Sequence, residues 1–166
     1  SGTATQGETL TAANTLADLD GLGSISYQWN RAGAAITDAT ASTYSLVQAD
    51  VGSVITVSAS YTDGEGTAES EISAATSVIA NVNDAPTGSV TISGTTKQGE
   101  TLTAANTLAD LDGLGTISYQ WKRAGAAITD ATASTYSLVQ ADVGSAITVT
   151  ANYTDGQGTA ESVSST

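Results

Sequence analysis

The side chains whose types and spacing could do chemistry in this chain are aspartate, glutamate and asparagine. Asp-Leu-Asp-Gly stands at 18–21 and again at 110–113, Asp-Gly-x-Gly at 63–66 and 155–158, and Asn-Val-Asn-Asp-Ala-Pro at 81–86. There is no histidine and no cysteine. That removes the usual general base, the thiolate nucleophile, and the nitrogen and sulfur ligands that zinc and copper prefer. An all-oxygen set is suited to a hard cation. Calcium takes about 6–8 oxygens in flexible geometry, whereas magnesium demands near-octahedral order and keeps its water. Asp-Leu-Asp-Gly is not an EF-hand loop, because the third ligand position and the distal bidentate glutamate are missing. Asp18/Asp20 and Glu69/Glu71 are the paired carboxylates that could suggest glycoside hydrolysis. That reaction needs two carboxyl groups facing across a cleft, and a tip loop or a single strand supplies none. The residues read as non-catalytic.

The bulk composition narrows the classes further. Seventeen acidic against four basic residues give a net charge of −13, which disfavours nucleic acid and anionic membrane surfaces as partners. Such acidity also suits a salt-adapted protein. With 40% hydrophobic residues the chain is too apolar for a disordered acidic tail. No apolar run reaches the roughly 18 residues of a membrane span. The opening SGTATQGETL has neither the basic region nor the apolar segment of a secretion signal, so the sequence reads as a piece of something longer.

The elements that must position the carboxylates come from internal repetition. GETLTAANTLADLDGLG occurs at 7–23 and 99–115, and residues 1–70 match 93–162 at 62 of 70 positions. A period of 92 residues suits one small domain per repeat rather than a solenoid coil. Within each repeat, short alternating segments are separated by Gly/Asp turns. ISYQW places Ile25, Tyr27 and Trp29 on one face, and VITVSASY places Ile55, Val57, Ala59 and Tyr61 on one face. Differences between the copies at 54, 58 and 60 fall on the opposite face, as expected if it is solvated. Strands are expected at 3–5, 9–14, 24–31, 34–37, 42–47, 54–62 and 67–80. Seven strands with a tryptophan on the third describe an immunoglobulin-like β-sandwich, with Trp29, Trp121, Tyr27, Tyr44 and Tyr61 as core residues. The chain is therefore expected to be all-β: two tandem sandwiches in an elongated arrangement, at 1–82 and 89–166, joined by a linker at 83–88, the second lacking its last strand.

Alternate loops of such a sandwich fall at opposite ends. One end should carry 18–23, 38–40 and 63–66, the other 6–8, 31–33 and 48–52, where Asp50 can cap backbone N–H groups. Stacking the two domains would bring Glu8 and Asp50 toward Asp110, Asp112 and Asp155, with Asn81, Asn83 and Asp84 between. Carboxylates about 4 Å apart repel by about 1 kcal/mol in water and about 4 at an effective dielectric near 20, so that arrangement calls for a cation. Calcium is expected at this junction, with Asp18, Asp20 and Asp63 as the equivalent set of the first repeat. Pro86 holds Ala85 extended and keeps the linker from folding back.

Asn-Val-Asn-Asp-Ala-Pro resembles the cadherin interdomain linker, with Glu8, Asp110 and Asp112 matching cadherin-type ligand positions in order and the acidic loop met only by Asp50. The whole repeat, through ISYQWKRAG (117–125), YSLVQADVGSAITV (136–149), YTDGQGTAES (153–162) and NVNDAPT (81–87), resembles the tandem immunoglobulin-like or cadherin-like extender repeats of giant RTX-type bacterial adhesins. The resemblance implies type I secretion, an extracellular location at the bacterial surface and stiffening by calcium. It implies a structural extender whose partners are neighbouring repeats of its own chain, the fragment being monomeric. An adhesive module binding carbohydrate or protein is the alternative.

Overall fold

The computed structural model describes residues 1–166. The chain divides into two compact units, Ser1–Val82 and Asn83–Thr166, so residues 83–88, expected as a separate linker, belong to the second. The protein is all-β, with several antiparallel sheets in the manner of a β-sandwich. The first unit comprises β1 (Thr9–Thr11), β2 (Ser26–Arg31), β3 (Ala34–Ala35), β4 (Thr43–Ser45), β5 (Ile55–Thr62) and β6 (Ala68–Ile72). The second comprises β7 (Val90–Ser93), β8 (Thr101–Asn106), β9 (Ser118–Arg123), β10 (Ala126–Ala127), β11 (Thr135–Ser137), β12 (Ile147–Thr154) and β13 (Ala160–Ser164). The sheets have the orders β1-β4 and β3-β2-β5-β6 in the first unit, and β11-β8-β7 and β10-β9-β12-β13 in the second.

Alternation along β5 and β12 decides the register. Trp29 lies opposite Val57, and Trp121 opposite Val149, so each indole is laid against aliphatic neighbours. Both tryptophans are buried, at 3% and 0% exposure. Each indole N–H donates to a carbonyl, that of Ala41 or Ala133, at 2.9 Å, and each ring stacks on Tyr44 or Tyr136. In the second unit, Val90 and Leu102 from one sheet, with Leu138 just after β11, meet Trp121, Val149 and Ala151 from the other in one core. The opposite face of the long strand is less open than expected: Ser58 and Ser60 are half-buried, and Thr150 is buried with its hydroxyl 2.9 Å from that of Ser164.

Three strand expectations need correction. Residues 3–5 form no strand, only a parallel bridge from Thr5 to Ala80; the strand that opens the second unit is β7. Residues 34–37 keep a strand only at Ala34–Ala35, because Asp38 turns the chain at φ 59°. The last expected strand, 67–80, leaves the ladder after Ile72. Beyond it the Ser73 hydroxyl accepts the Val57 N–H and the Thr76 hydroxyl accepts the Ile55 N–H, each at 3.0 Å. Side-chain oxygens thus take the places of ladder carbonyls, and the segment runs on to bury Ile79 at 1% exposure.

At one end of each unit an ion pair closes the core. The Arg31 Nε donates to Asp50 at 2.7 Å, and Arg123 Nε to Asp142 at 2.6 Å. In the second unit the Val139 N–H, Arg123 and Tyr136 donate to Asp142. Burial alone would raise this carboxyl, but those donors outweigh it and hold its pKa below the ordinary 3.8. A lowered folded-state pKa means stability that is present above the ordinary value and lost as pH falls through the lowered one. We expect the melting temperature of the second unit to fall below about pH 4, and Asp142→Asn to flatten that acid limb in a calorimetric pH series.

Candidate metal centres at the loop tips

The Asp-Leu-Asp-Gly-Leu-Gly loop and the Asp-Gly-x-Gly hairpin meet because glycines let their backbones touch. The Gly64 N–H donates to the carbonyls of Asp20 and Gly21 at 3.0 and 3.1 Å. A Cβ on Gly64 would stand 2.3 Å from the Asp20 carbonyl oxygen, and one on Gly23 would stand 2.0 Å from that of Thr62. The second unit repeats the arrangement: Gly156 donates to Asp112 and Gly113 at 3.0 Å, and a Cβ on Gly115 would stand 1.9 Å from the Thr154 oxygen. Neither contact can relax without moving backbone. Gly115→Ala is therefore expected to destabilise the second unit by about 1–3 kcal/mol, read as a lower urea midpoint, and to splay the two loops apart.

Local hydrogen bonds aim each carboxylate. Asp18 Oδ1 accepts the Asp20 N–H at 2.9 Å, and its Oδ2 accepts the Tyr61 hydroxyl at 3.0 Å. Asp63 Oδ1 accepts the N–H groups of Glu65 and Thr67 at 3.0 and 2.7 Å. These are Asx-type turns, and they leave one oxygen of Asp63 outward from its own hairpin. Asp18, Asp20 and Asp63 each bring a carboxylate oxygen within 4.8 Å of the others. This group could hold a metal ion.

The second unit carries the same bonds. Asp110 Oδ1 accepts the Asp112 N–H at 2.9 Å and its Oδ2 the Tyr153 hydroxyl at 2.5 Å. Asp155 Oδ1 accepts the N–H groups of Gln157 and Thr159 at 2.9 and 2.7 Å. Burial and the bond to Asp110, with Glu161 and Asp155 nearby, push the Tyr153 phenol well above its ordinary pKa, so it stays a donor. Asp112 and Asp155 are 4% and 6% exposed. Asp112 Oδ2 accepts the Asp84 N–H at 2.7 Å, and the Asn83 amide donates to Glu161 at 2.8 Å. The segment that enters the unit is thereby pinned to its acidic tip. Asp155 Oδ2 is buried with no hydrogen-bond partner. A buried carboxylate oxygen without donor or cation is costly, so the donor set fits calcium chemistry: all oxygen, several anionic, arranged on loops rather than in a rigid octahedron.

Of the eight residues expected to share an ion, Asn83, Asp84, Asp110, Asp112 and Asp155 lie in the second unit, and Glu8, Asp50 and Asn81 in the first. Asp50 is corrected. Its side chain is fully buried, and its oxygens accept from Arg31 Nε, the Tyr44 hydroxyl and the Val47 N–H at 2.7, 3.0 and 2.8 Å. The capping role read from QADVG is present, but the carboxylate is internal to the core. Glu8 is exposed, and its carbonyl accepts the Leu46 N–H at 2.8 Å, away from the first unit's tip. Asn81 Oδ1 is buried without a partner. The loop at 38–40 also leaves the tip, because the Ala39 carbonyl accepts the Trp29 N–H beside the middle of β2.

Sequence reasoning passed over the tyrosines and arginines. Tyr61 is expected in the core, yet its hydroxyl orients Asp18, and that of Tyr153 orients Asp110. Arg31 and Arg123 occupy the same place in both copies while Lys97 and Lys122 do not; that asymmetry was the available signal for a structural ion pair. Compared with known proteins, the chain matches no protein-family model and no curated protein.

Proposed function

We propose that each repeat is an immunoglobulin-like, calcium-binding spacer of a large bacterial surface adhesin, in which the ion at the acidic tip fixes the segment leading into the repeat. The observation that carries this reading is the buried, unpartnered Asp155 Oδ2 in a loop pair whose first-unit counterpart gathers three carboxylates within 4.8 Å. The 62 matching positions support a modular array, since a spacer gains length by copying a unit whereas a recognition surface diversifies. The direct contact of Asp84 with Asp112 supports a stiffening role: an ion drawing in Asp110, Asp112 and Asp155 would tighten the loop that holds residue 84. In this reading the module is extracellular and non-catalytic.

The test is to count bound calcium by native mass spectrometry in about 1 mM calcium, the range of extracellular modules, alongside limited proteolysis of residues 83–86. Bound calcium with protection of that segment is expected, and magnesium should not substitute. A protein that binds no calcium, or whose cleavage is indifferent to it, would sink the reading.

A further inference from the structure

We infer that the outer face of each four-stranded sheet, across β2, β5 and β6 in the first unit and β9, β12 and β13 in the second, is a contact surface for a neutral polysaccharide, independent of any ion at the tip. The face stands out by what it lacks. The chain has seventeen acidic residues and places none of them there. The register that turns Trp29 and Val57 inward turns Ser26, Gln28, Ser58 and Ser60 outward, and it leaves Glu69 on the row of Tyr61. In the second unit the same register leaves Lys122 as the one charge on the face.

The two copies also differ here more than elsewhere. Four of their eight differences lie on or beside this face, at Ser24/Thr116, Asn30/Lys122, Ser58/Thr150 and Ser60/Asn152. Exposure alone does not account for that. The outward residues of the first unit's other sheet, Thr9, Thr11, Thr43 and Ser45, are all exposed, and all four are identical in the second copy. Every exchange on the varying face keeps a hydrogen-bonding group, and none brings in a carboxylate. A recess of about 370 Å³ lies on the first face, bounded by Ser26, Ser60, Thr62 and Ser70, and one of about 470 Å³ lies at the same place on the second. The small Ala68 and Ala160, opposite Thr62 and Thr154 on the ladder, hollow it out.

Local bonds set the polarity of the surface. The Ser26 and Ser118 hydroxyls donate to the carbonyls of Ser60 and Asn152, both at 3.1 Å, and the Ser60 hydroxyl donates to Ser70 at 3.2 Å. The Gln120 amide donates to the carbonyls of Trp121 and Ile128 at 2.9 Å. Protons are thus spent inside the protein, and oxygen lone pairs are left for a ligand. Uncharged acceptors on short, already ordered side chains suit a partner dense in hydroxyl donors and free of charge. A second copy of the chain would bring the same acceptors and a like net charge. The face has no aromatic ring for a sugar to stack on, so each unit binds weakly, and repetition of the unit raises the avidity.

The test titrates the 166-residue protein with maltoheptaose, cellohexaose and laminarihexaose, and with an alginate hexamer as the anionic comparison, following backbone amide shifts by NMR. Saturable shifts confined to these strands are expected with at least one neutral glucan and not with alginate. Asn152→Asp replaces an amide with a charge at nearly equal volume. It should weaken binding to the second unit at least about fivefold while the first unit, as internal control, binds as before. Thr103→Glu places a charge on the other sheet and should leave both units unaffected. Absence of shifts with every neutral glucan, alginate binding as tight as any glucan, or an equal loss with Thr103→Glu overturns the inference. So does a sedimenting dimer that Asn152→Asp dissociates, which would give the face to a second copy instead.

Discussion

Saturating calcium is expected to raise the melting temperature of the second unit by roughly 10–20 °C. A ligand at about a hundred times its dissociation constant adds about 2.7 kcal/mol to the folded state, and a domain of 60–100 residues gains about 4–8 °C per kcal/mol. The sharper form of this result is Asp155→Asn. The amide keeps Oδ1 to accept the Gln157 and Thr159 N–H groups but removes the charge from the buried, unpartnered side of the group. Without calcium the variant should be as stable as the parent or more so; with calcium it should lose most of the gain. The loss is therefore confined to the calcium condition, which a merely structural aspartate would not produce. Differential scanning calorimetry with calcium and with chelator checks both, and a variant that loses stability equally in the two conditions would refute a metal role for Asp155.

The second large effect needs no ligand. Asp50→Ala is expected to cost about 3 kcal/mol, because it removes one partner of a buried ion pair and strands the others. The Tyr44 hydroxyl and the Val47 N–H lose their acceptor inside the unit, while Arg31, 31% exposed in its side chain, can turn to water. The loss should be partly recovered by Arg31→Met together with Tyr44→Phe, which removes the unpaired charge and the orphaned hydroxyl and leaves only the Val47 N–H without its acceptor. Urea unfolding of the single and combined variants measures this. Calcium affinity should be unchanged throughout, since Asp50 lies outside the tip group.

Most of the fold was legible because it rests on a period of two. Trp29 on ISYQW and the Ile55-Val57-Ala59-Tyr61 face followed from alternation, and the meeting of 18–21 with 63–66 followed from counting loops. What escaped was set by contacts that alternation does not encode. Asp50 looked like a free end-loop carboxylate until Arg31, nineteen positions away, reached it. The segment after Ile72 looked like strand because its Ser and Thr residues are compatible with one; the hydroxyls of Ser73 and Thr76 instead substitute for carbonyls as acceptors, while their N–H groups still donate to Val57 and Ile55, and the regular ladder ends. Asp38 looked like a further tip acid, but its left-handed turn folds 38–40 back along β2.

The edges of the four-stranded sheets have a consequence for how such copies can coexist. In the first unit one edge is β3, two residues long and preceded by a left-handed turn at Ala32, and the other is β6, exposed throughout and carrying Glu69 and Glu71. A short edge offers too few main-chain groups to template a neighbour, and an acidic one repels its own kind. Sister domains this similar in sequence have every chemical reason to exchange or extend strands during synthesis. Here the protection is divided between geometry on one side and charge on the other, so only the charged side should fail in acid or concentrated salt, and β6 is where misassembly of near-identical copies would begin.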